Sequence, residues 1–210
     1  MSNLQEILTQ ALGENQLIIH PDQQQKLVHY LELLQTWNNV FNLTAITSPR
    51  DQVYLHLIDS LLVQTHLQGT YCLDVGSGAG LPGIPLAIIQ PKHQWILLDK
   101  NSKKTRFMTQ VIAELKLPQI TVIHSNCEAF HPQHQFDSIV SRAFGSLHHF
   151  VQMTKHLLTS DGRLLAMKGK FPQKEIDDMP NGFMVENVIR LHLQGITVER
   201  HIVCIRRVNN

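Results

Sequence analysis

The chain has 210 residues, 43% hydrophobic and 17% charged, with a formal net charge of +1 at pH 7. These values fit one globular domain, or one domain with a short extension, and exclude a disordered chain. A balance this close to neutral gives no global basic field, so any nucleic-acid contact has to come from a local patch. The apolar runs are too short to span a bilayer, and residues 1–10 lack the basic-then-apolar pattern of a signal peptide, so a cytoplasmic protein without membrane contact is expected. Cys72, Cys127 and Cys204 are widely spaced and form no C-x-x-C, which reads as reduced thiols.

Up to Gly69 the chain reads as helical. Leu4, Ile7, Leu8, Ala11 and Leu12 recur at helical spacing. A second helix is expected to start near Pro21, a residue tolerated in a first turn, with Leu27, Tyr30, Leu31, Leu34 and Trp37 on its apolar face. Asn42-Leu43-Thr44 reads as a turn. A third helix is expected from Ser48-Pro49, with Ser48 as its cap and Val53, Leu57, Leu61 and Leu62 facing inward.

Beyond Gly69 short apolar runs alternate with helical stretches. Strands are expected at 71–75, 95–98, 120–123, 136–140 and 163–167, and helices at 84–90, 103–116 and 147–158. Two last strands, at 185–193 and 201–206, are expected to pair as neighbours. This alternation predicts an α/β, Rossmann-like fold: a mostly parallel seven-stranded sheet with helices on both faces. The expected division is a helical extension over 1–68, packed on the core, and a Rossmann-like domain over 69–210.

The sharpest local signal is Asp74-Val75-Gly76-Ser77-Gly78-Ala79-Gly80, which follows a strand and precedes a helix. Glycine admits positive φ and close approach of a ligand to the backbone, and free N–H groups at the helix start receive an anion. Asp99 ends the second strand, 99 − 78 = 21 residues after Gly78. That is the offset at which an acid reaches ribose hydroxyls in Rossmann-like nucleotide sites.

Two cofactors compete for this loop. Gly78-Ala79-Gly80-Leu81-Pro82-Gly83 matches the dinucleotide fingerprint G-x-G-x-x-G literally. The pattern that begins at the strand end, however, is G-x-G-x-G preceded by Asp74, and a third glycine counted from Gly76 would fall on Leu81. This is the S-adenosylmethionine form, and it makes Gly76, Gly78, Gly80 and Asp99 candidate cofactor contacts.

Five segments in order carry a family resemblance: Trp37-Asn38 with Asn42-Leu43-Thr44; His56-Leu57-Ile58-Asp59-Ser60; the glycine loop extended through Gly80-Leu81-Pro82-Gly83-Ile84-Pro85; Ser141-Arg142-Ala143-Phe144; and Met167-Lys168-Gly169. Together they resemble the bacterial RsmG (GidB) family over nearly the whole chain. The resemblance implies a class I S-adenosylmethionine-dependent methyltransferase fold. It implies transfer of a methyl group from S-adenosyl-L-methionine to N7 of a guanine in the decoding region of 16S ribosomal RNA. Carried over by position, it implies that Gly76 and Leu81 contact the cofactor from the loop, that Cys127 and Glu128 lie beside the adenine, and that Arg142 contacts the methyl-transfer centre as both cofactor ligand and catalytic candidate. Whether Arg142 reaches cofactor, guanine or phosphate is left open. The expected partner is 16S rRNA or the small ribosomal subunit, met by a monomer. A methyltransferase acting on a small molecule or protein is the alternative.

Guanine N7 carries an in-plane lone pair and no proton, so attack on a sulfonium methyl needs no general base and rests on alignment. RNA contact is expected from Lys168 after the fifth strand and from Lys103, Lys104 and Arg106, which cluster with Lys100 at a helix start, where cations oppose the helix dipole. His124, Cys127, His131 and His134 have a spacing that superficially resembles a zinc site, but a metal there would remove the expected adenine edge, and no metal is expected.

Overall fold

The computed structural model describes residues 3–208; Met1, Ser2, Asn209 and Asn210, the ends of the two expected divisions, lie outside them. The chain opens with α1 (Asn3–Glu14) and α2 (Pro21–Phe41). Pro21 sits in the first turn of α2, His20 and Gln23 cap it reciprocally, and Asn42 ends it in the left-handed region at φ 50°. The third expected helix is α3 (Pro49–Gln52), a π-helical segment Val53–Ile58 and α4 (Asp59–Leu61), capped by Ser48.

The sheet contains β1 (Tyr71–Val75), β2 (Gln94–Asp99), β3 (Ile120–His124), β4 (Phe136–Arg142), β5 (Leu158–Lys168), β6 (Phe183–Arg190) and β7 (His201–Arg207), in the spatial order β3-β2-β1-β4-β5-β7-β6. β3 through β5 in that order are parallel, and β7 runs antiparallel to both β5 and β6. The helices between them are α5 (Gly83–Ile89), α6 (Ser102–Leu115), α7 (Leu147–Thr154) and α8 (Gln173–Asp177). The expected seven-stranded fold and the pairing of the last two strands are therefore both present.

Three boundaries differ from expectation by more than two residues. α7 stops at Thr154 rather than continuing to 158, and Leu157 and Leu158, which prolong its apolar period, instead turn into β5. β5 begins five residues early because Leu158 pairs with Phe136 before the register shifts at Thr159-Ser160-Asp161-Gly162, a run of turn-forming residues. β6 ends at Arg190, since Leu191 and Leu193 leave the sheet to pack in the core shared with the N-terminal helices.

That core ties the first helices to the loop after β1. The buried Tyr30 hydroxyl donates to the Ala79 carbonyl (2.8 Å), and Gln23 donates to the last carbonyls of α5, Ile88 and Ile89 (3.1 Å each). Asp74, fully buried in β1, accepts the Gly83 N–H (2.9 Å) and so fixes the start of α5. A Cβ at Gly83 would collide with Leu97 and come within 2.8 Å of that carboxylate. Gly83→Ala is expected to destabilise the fold by about 1–3 kcal/mol through overpacking. Urea unfolding measures this, and an unchanged midpoint would mean that the loop yields without strain.

Candidate active site

The glycine turn is built from backbone bonds that its side-chain-poor sequence allows. Gly76 and Ser77 both donate to the Leu98 carbonyl (2.8 and 3.2 Å), and Ser77 Oγ donates back to the Asp74 carbonyl (2.8 Å). Gly76 and Gly78 take φ of 69° and 59°, a region costly for residues with a Cβ. The Gly78 N–H then reaches Asp99 Oδ2 (2.8 Å), and Asp99 Oδ1 accepts from the Asn101 N–H (2.8 Å). Asp99 thus links the turn to the start of α6.

Three adjoining spaces lie outside the carboxyl ends of the parallel strands, where ligands of open α/β sheets bind. The largest is a trough of about 540 Å³ whose lining includes Gly76, Asp99, Lys104, Cys127, Glu128 and Phe144. A smaller space of about 230 Å³ follows the turn and shares Gly76, Lys104 and Ala143 with the trough; Gly78, Leu81, His56 and Arg142 also line it. A cleft of about 410 Å³ then shares His56, Arg142 and Ala143 with that space and is completed by Asp59, Lys168 and Arg200, among others. A groove at the opposite, amino end of the sheet, around Arg163 and Arg206, is remote from these elements.

Most of the residues expected from the sequence are brought together here. Gly76, Asp99, Cys127 and Glu128 line the trough, while Gly78, Leu81 and Arg142 line the adjoining space. Cys127 is buried, its thiol donates to the Met153 carbonyl (3.1 Å), and burial pushes its pKa up to about 11, so it stays protonated. Gly80 lines neither space; it is buried, and a side chain there would run into Ile84. Lys104 lines both the trough and the turn, whereas Lys103 and Arg106 are exposed on α6 and line none of the three spaces. Lys168 faces the cleft, but its ammonium is engaged by Glu175 (2.7 Å) and by the Gly145 carbonyl, so it is not the free cation that the sequence led us to expect.

Arg142 stands where the turn space meets the cleft. Its Nη1 donates to the Leu55 carbonyl (2.8 Å) and lies 3.5 Å from Asp59. Three further site residues received no role from sequence: His56, Asp59 and Arg200. His56 and Asp59 lie in one of the family-like segments, which was their only signal; Arg200 had none.

His56 Nε2 is 3.0 Å from Thr44 Oγ1, and its buried Nδ1 has no hydrogen-bond partner. Burial, followed by the nearby Arg142 charge, lowers its pKa to about 4, which keeps the imidazole neutral at physiological pH. Burial pushes Asp74 up to about 7, opposed by the Gly83 N–H and the Arg142 charge. Asp59 is pushed up by burial and pulled back by Arg142 and Arg200. Among the described residues no three His, Cys, Asp or Glu side chains converge on a metal-sized site, and no helix is long and apolar enough to cross a membrane.

Comparison with known proteins bears on both fold and family. The glycopeptide N-methyltransferase MtfA, solved with S-adenosyl-L-methionine, has a TM-score of 0.64 at 11% identity, over 73% of this chain and 87% of that one. A SAM-dependent methyltransferase from Aquifex aeolicus has a TM-score of 0.57 at 17% identity, over 74% and 92%. These likenesses show the fold: the Rossmann-like class I methyltransferase architecture. The ribosomal RNA small subunit methyltransferase G of Nitrosococcus oceani is 47% identical over 180 residues, covering 86% of this chain and 84% of that protein. The protein of the same name from Cronobacter sakazakii is 42% identical over 199 residues, covering 95% and 96%. The family model described as rRNA small subunit methyltransferase G matches residues 23–203, and the chain belongs to that family, GidB.

Proposed function

We propose that the chain is an S-adenosyl-L-methionine-dependent methyltransferase that modifies N7 of one guanine in the decoding region of 16S ribosomal RNA. The observation that carries this reading is the family match over residues 23–203. It is supported by three connected spaces large enough for a nucleoside-sized donor and an acceptor base. In this reading the chain acts in the cytoplasm as a monomer on rRNA or the small ribosomal subunit. Residues 1–68 serve as an extension that shapes the acceptor side, and residues 69–210 form the methyltransferase domain.

The residues of the trough fit the cofactor. Both Asp99 oxygens hold backbone N–H groups, yet a carboxylate has lone pairs to spare for ribose hydroxyls. We assign Cys127 and Glu128 to the adenine edge. We assign the backbone around Gly76, Gly78 and Leu81, with Lys104 beside it, to the methionyl carboxylate. Gly80 acts in the turn itself. When bound, the cofactor supplies an electrophilic sulfonium methyl.

The chain's own residues have to align that methyl with guanine N7 and keep water out. No proton needs removing from N7, so the site needs no general base, and burial, by lowering the pKa of His56 to about 4, makes that imidazole a weak one. The alkylated guanine becomes cationic, so Arg142 serves best on O6 or a phosphate, leaving N7 unopposed. We assign Lys103, Lys104 and Arg106 on α6 to RNA contact, Lys104 from the wall of the trough and the other two from the exposed face of the helix, with Lys168 bridging the cleft wall through Glu175.

The test is to present labelled S-adenosyl-L-methionine and the enzyme with unmethylated small subunits, large subunits, their free RNAs and a ribosome-free extract. Label confined to small-subunit RNA is expected. Label in protein or small molecules instead would overturn the reading in favour of a different acceptor.

A further inference from the structure

We propose that Asp59 is a positioning residue for methyl transfer, whose buried carboxylate holds Arg142 and Arg200 as a two-armed cationic clamp for the acceptor RNA. This rests on the function proposed above and adds the device that orients its substrate-side cations.

The clamp is a product of topology. Arg142 ends β4 and Arg200 immediately precedes β7, and these strands flank β5 on either side. Two strand spacings separate the arginine backbones by about 10 Å. Asp59 reaches across this gap from the helical segment packed over the strand ends. Its Oδ2 lies 3.5 Å from Arg142 Nη1 and its Oδ1 lies 3.3 Å from Arg200 Nε. The carboxylate side chain is 2% exposed, against 25% and 27% for the two arginines. One carboxylate therefore lies beneath two guanidiniums whose other edges remain open to the cleft. Among the described residues Arg142 Nε and Nη2 and Arg200 Nη2 have no protein partner. Those are the donors an incoming phosphate or guanine O6 would meet.

The helix geometry aims Asp59 at this spot. The Asp59 N–H bonds to the Tyr54 carbonyl, five residues back, closing a π segment. Such insertions are rare and frequently mark functional sites. Apart from His56 and Ser60, the segment otherwise buries Val53, Tyr54, Leu57, Ile58 and Leu61, so an apolar residue at 59 would suit most of its surroundings. A buried ion pair is weak support for stability, because apolar replacement of the whole group is often neutral. What the carboxylate provides is fixed spacing and orientation of two cations that would otherwise repel and wander.

The experiment compares Asp59→Asn with the parent enzyme on unmethylated small subunits. The clamp predicts that kcat falls roughly 10–100-fold, the scale of a misplaced contact. KM for the subunit and the dissociation constant for S-adenosyl-L-methionine should stay within about threefold. In an Arg200→Ala background the same substitution should cost clearly less than it does in the parent, since only Arg142 remains for the carboxylate to orient, and an equal cost overturns the two-armed clamp. An unchanged kcat, or cofactor affinity lost in step with activity, overturns the clamp. Should Asp59→Asn not fold, Arg200→Lys, at a partly exposed position, decides: it keeps the charge but loses the fork, and kcat should fall at least about fivefold with cofactor affinity intact, whereas full activity overturns the clamp. A parent enzyme inactive on small-subunit RNA overturns the functional reading and the clamp together. An active parent with an equally active variant overturns the clamp alone.

Discussion

Arg142→Ala is expected to lower methyl transfer by roughly 100-fold or more while S-adenosyl-L-methionine still binds within about threefold of the parent affinity, the signature of an interaction made at the reacting centre. Arg142 is the residue shared by the turn space and the acceptor cleft that carries a charge, and its open edge faces the second. Its hydrogen bond to the Leu55 carbonyl and its ion pair with Asp59 hold that edge in place. The truncation also leaves the buried Asp59 with one guanidinium instead of two, so a lower unfolding midpoint should accompany the loss of rate. Arg142→Lys keeps the charge but not the planar fork, and is expected to recover only part of the activity. Isothermal titration with the cofactor and single-turnover transfer measured on the same preparation separate the two effects. If cofactor affinity collapsed with activity, Arg142 would be a cofactor ligand first, and the acceptor-side assignment would be wrong.

Asp99→Ala should have the converse signature, with cofactor affinity falling about 10–100-fold and kcat at saturating cofactor much less affected. The carboxylate accepts from the Gly78 and Asn101 N–H groups, at 2.8 Å each, and charged hydrogen bonds contribute about 1.5–3 kcal/mol. Removing it frees the turn and the cap of α6 together, and deletes the group assigned to the ribose. Asp99→Asn retains one acceptor oxygen but turns an amide donor toward one of the two N–H groups, so an intermediate affinity is expected. Unchanged affinity in the alanine variant would remove Asp99 from the cofactor site and leave it only a brace between the glycine turn and Asn101, the cap of α6.

The glycine turn and its acid were legible because both are local. A strand, a short glycine-rich turn and an acid 21 residues beyond Gly78 are spacings along the chain, and the structure converts that offset into a direct bond between Gly78 and Asp99. The alternation of apolar runs and amphipathic stretches likewise made the succession of strands and helices along the chain legible, because buried parallel strands and their covering helices have different periods. Leu157 and Leu158 misled for the same reason: they continue the period of α7, and only the Ser160-Asp161-Gly162 turn betrays that the chain has already left the helix.

What local pattern could not reveal is the cleft. Asp59 and Arg200 lie 141 positions apart in the chain, 200 − 59, and meet through a sheet order that inserts β7 beside β5. Lys168 reads as a free cation until α8 brings Glu175 against it. The π segment that aims Asp59 has the composition of an ordinary buried helix. Each of these depends on which elements become neighbours, and that is decided by packing rather than by spacing.

The central claim, methylation at guanine N7 of small-subunit RNA, has a direct chemical readout. N7-methylguanine is cationic, and after borohydride reduction and aniline treatment the RNA strand breaks at that base. Unmethylated small-subunit RNA, incubated with the enzyme and S-adenosyl-L-methionine and then treated this way, should show one new break, at a single guanine of the decoding region. Methyl incorporation without a break there would contradict the account, because it would put the methyl group on another atom.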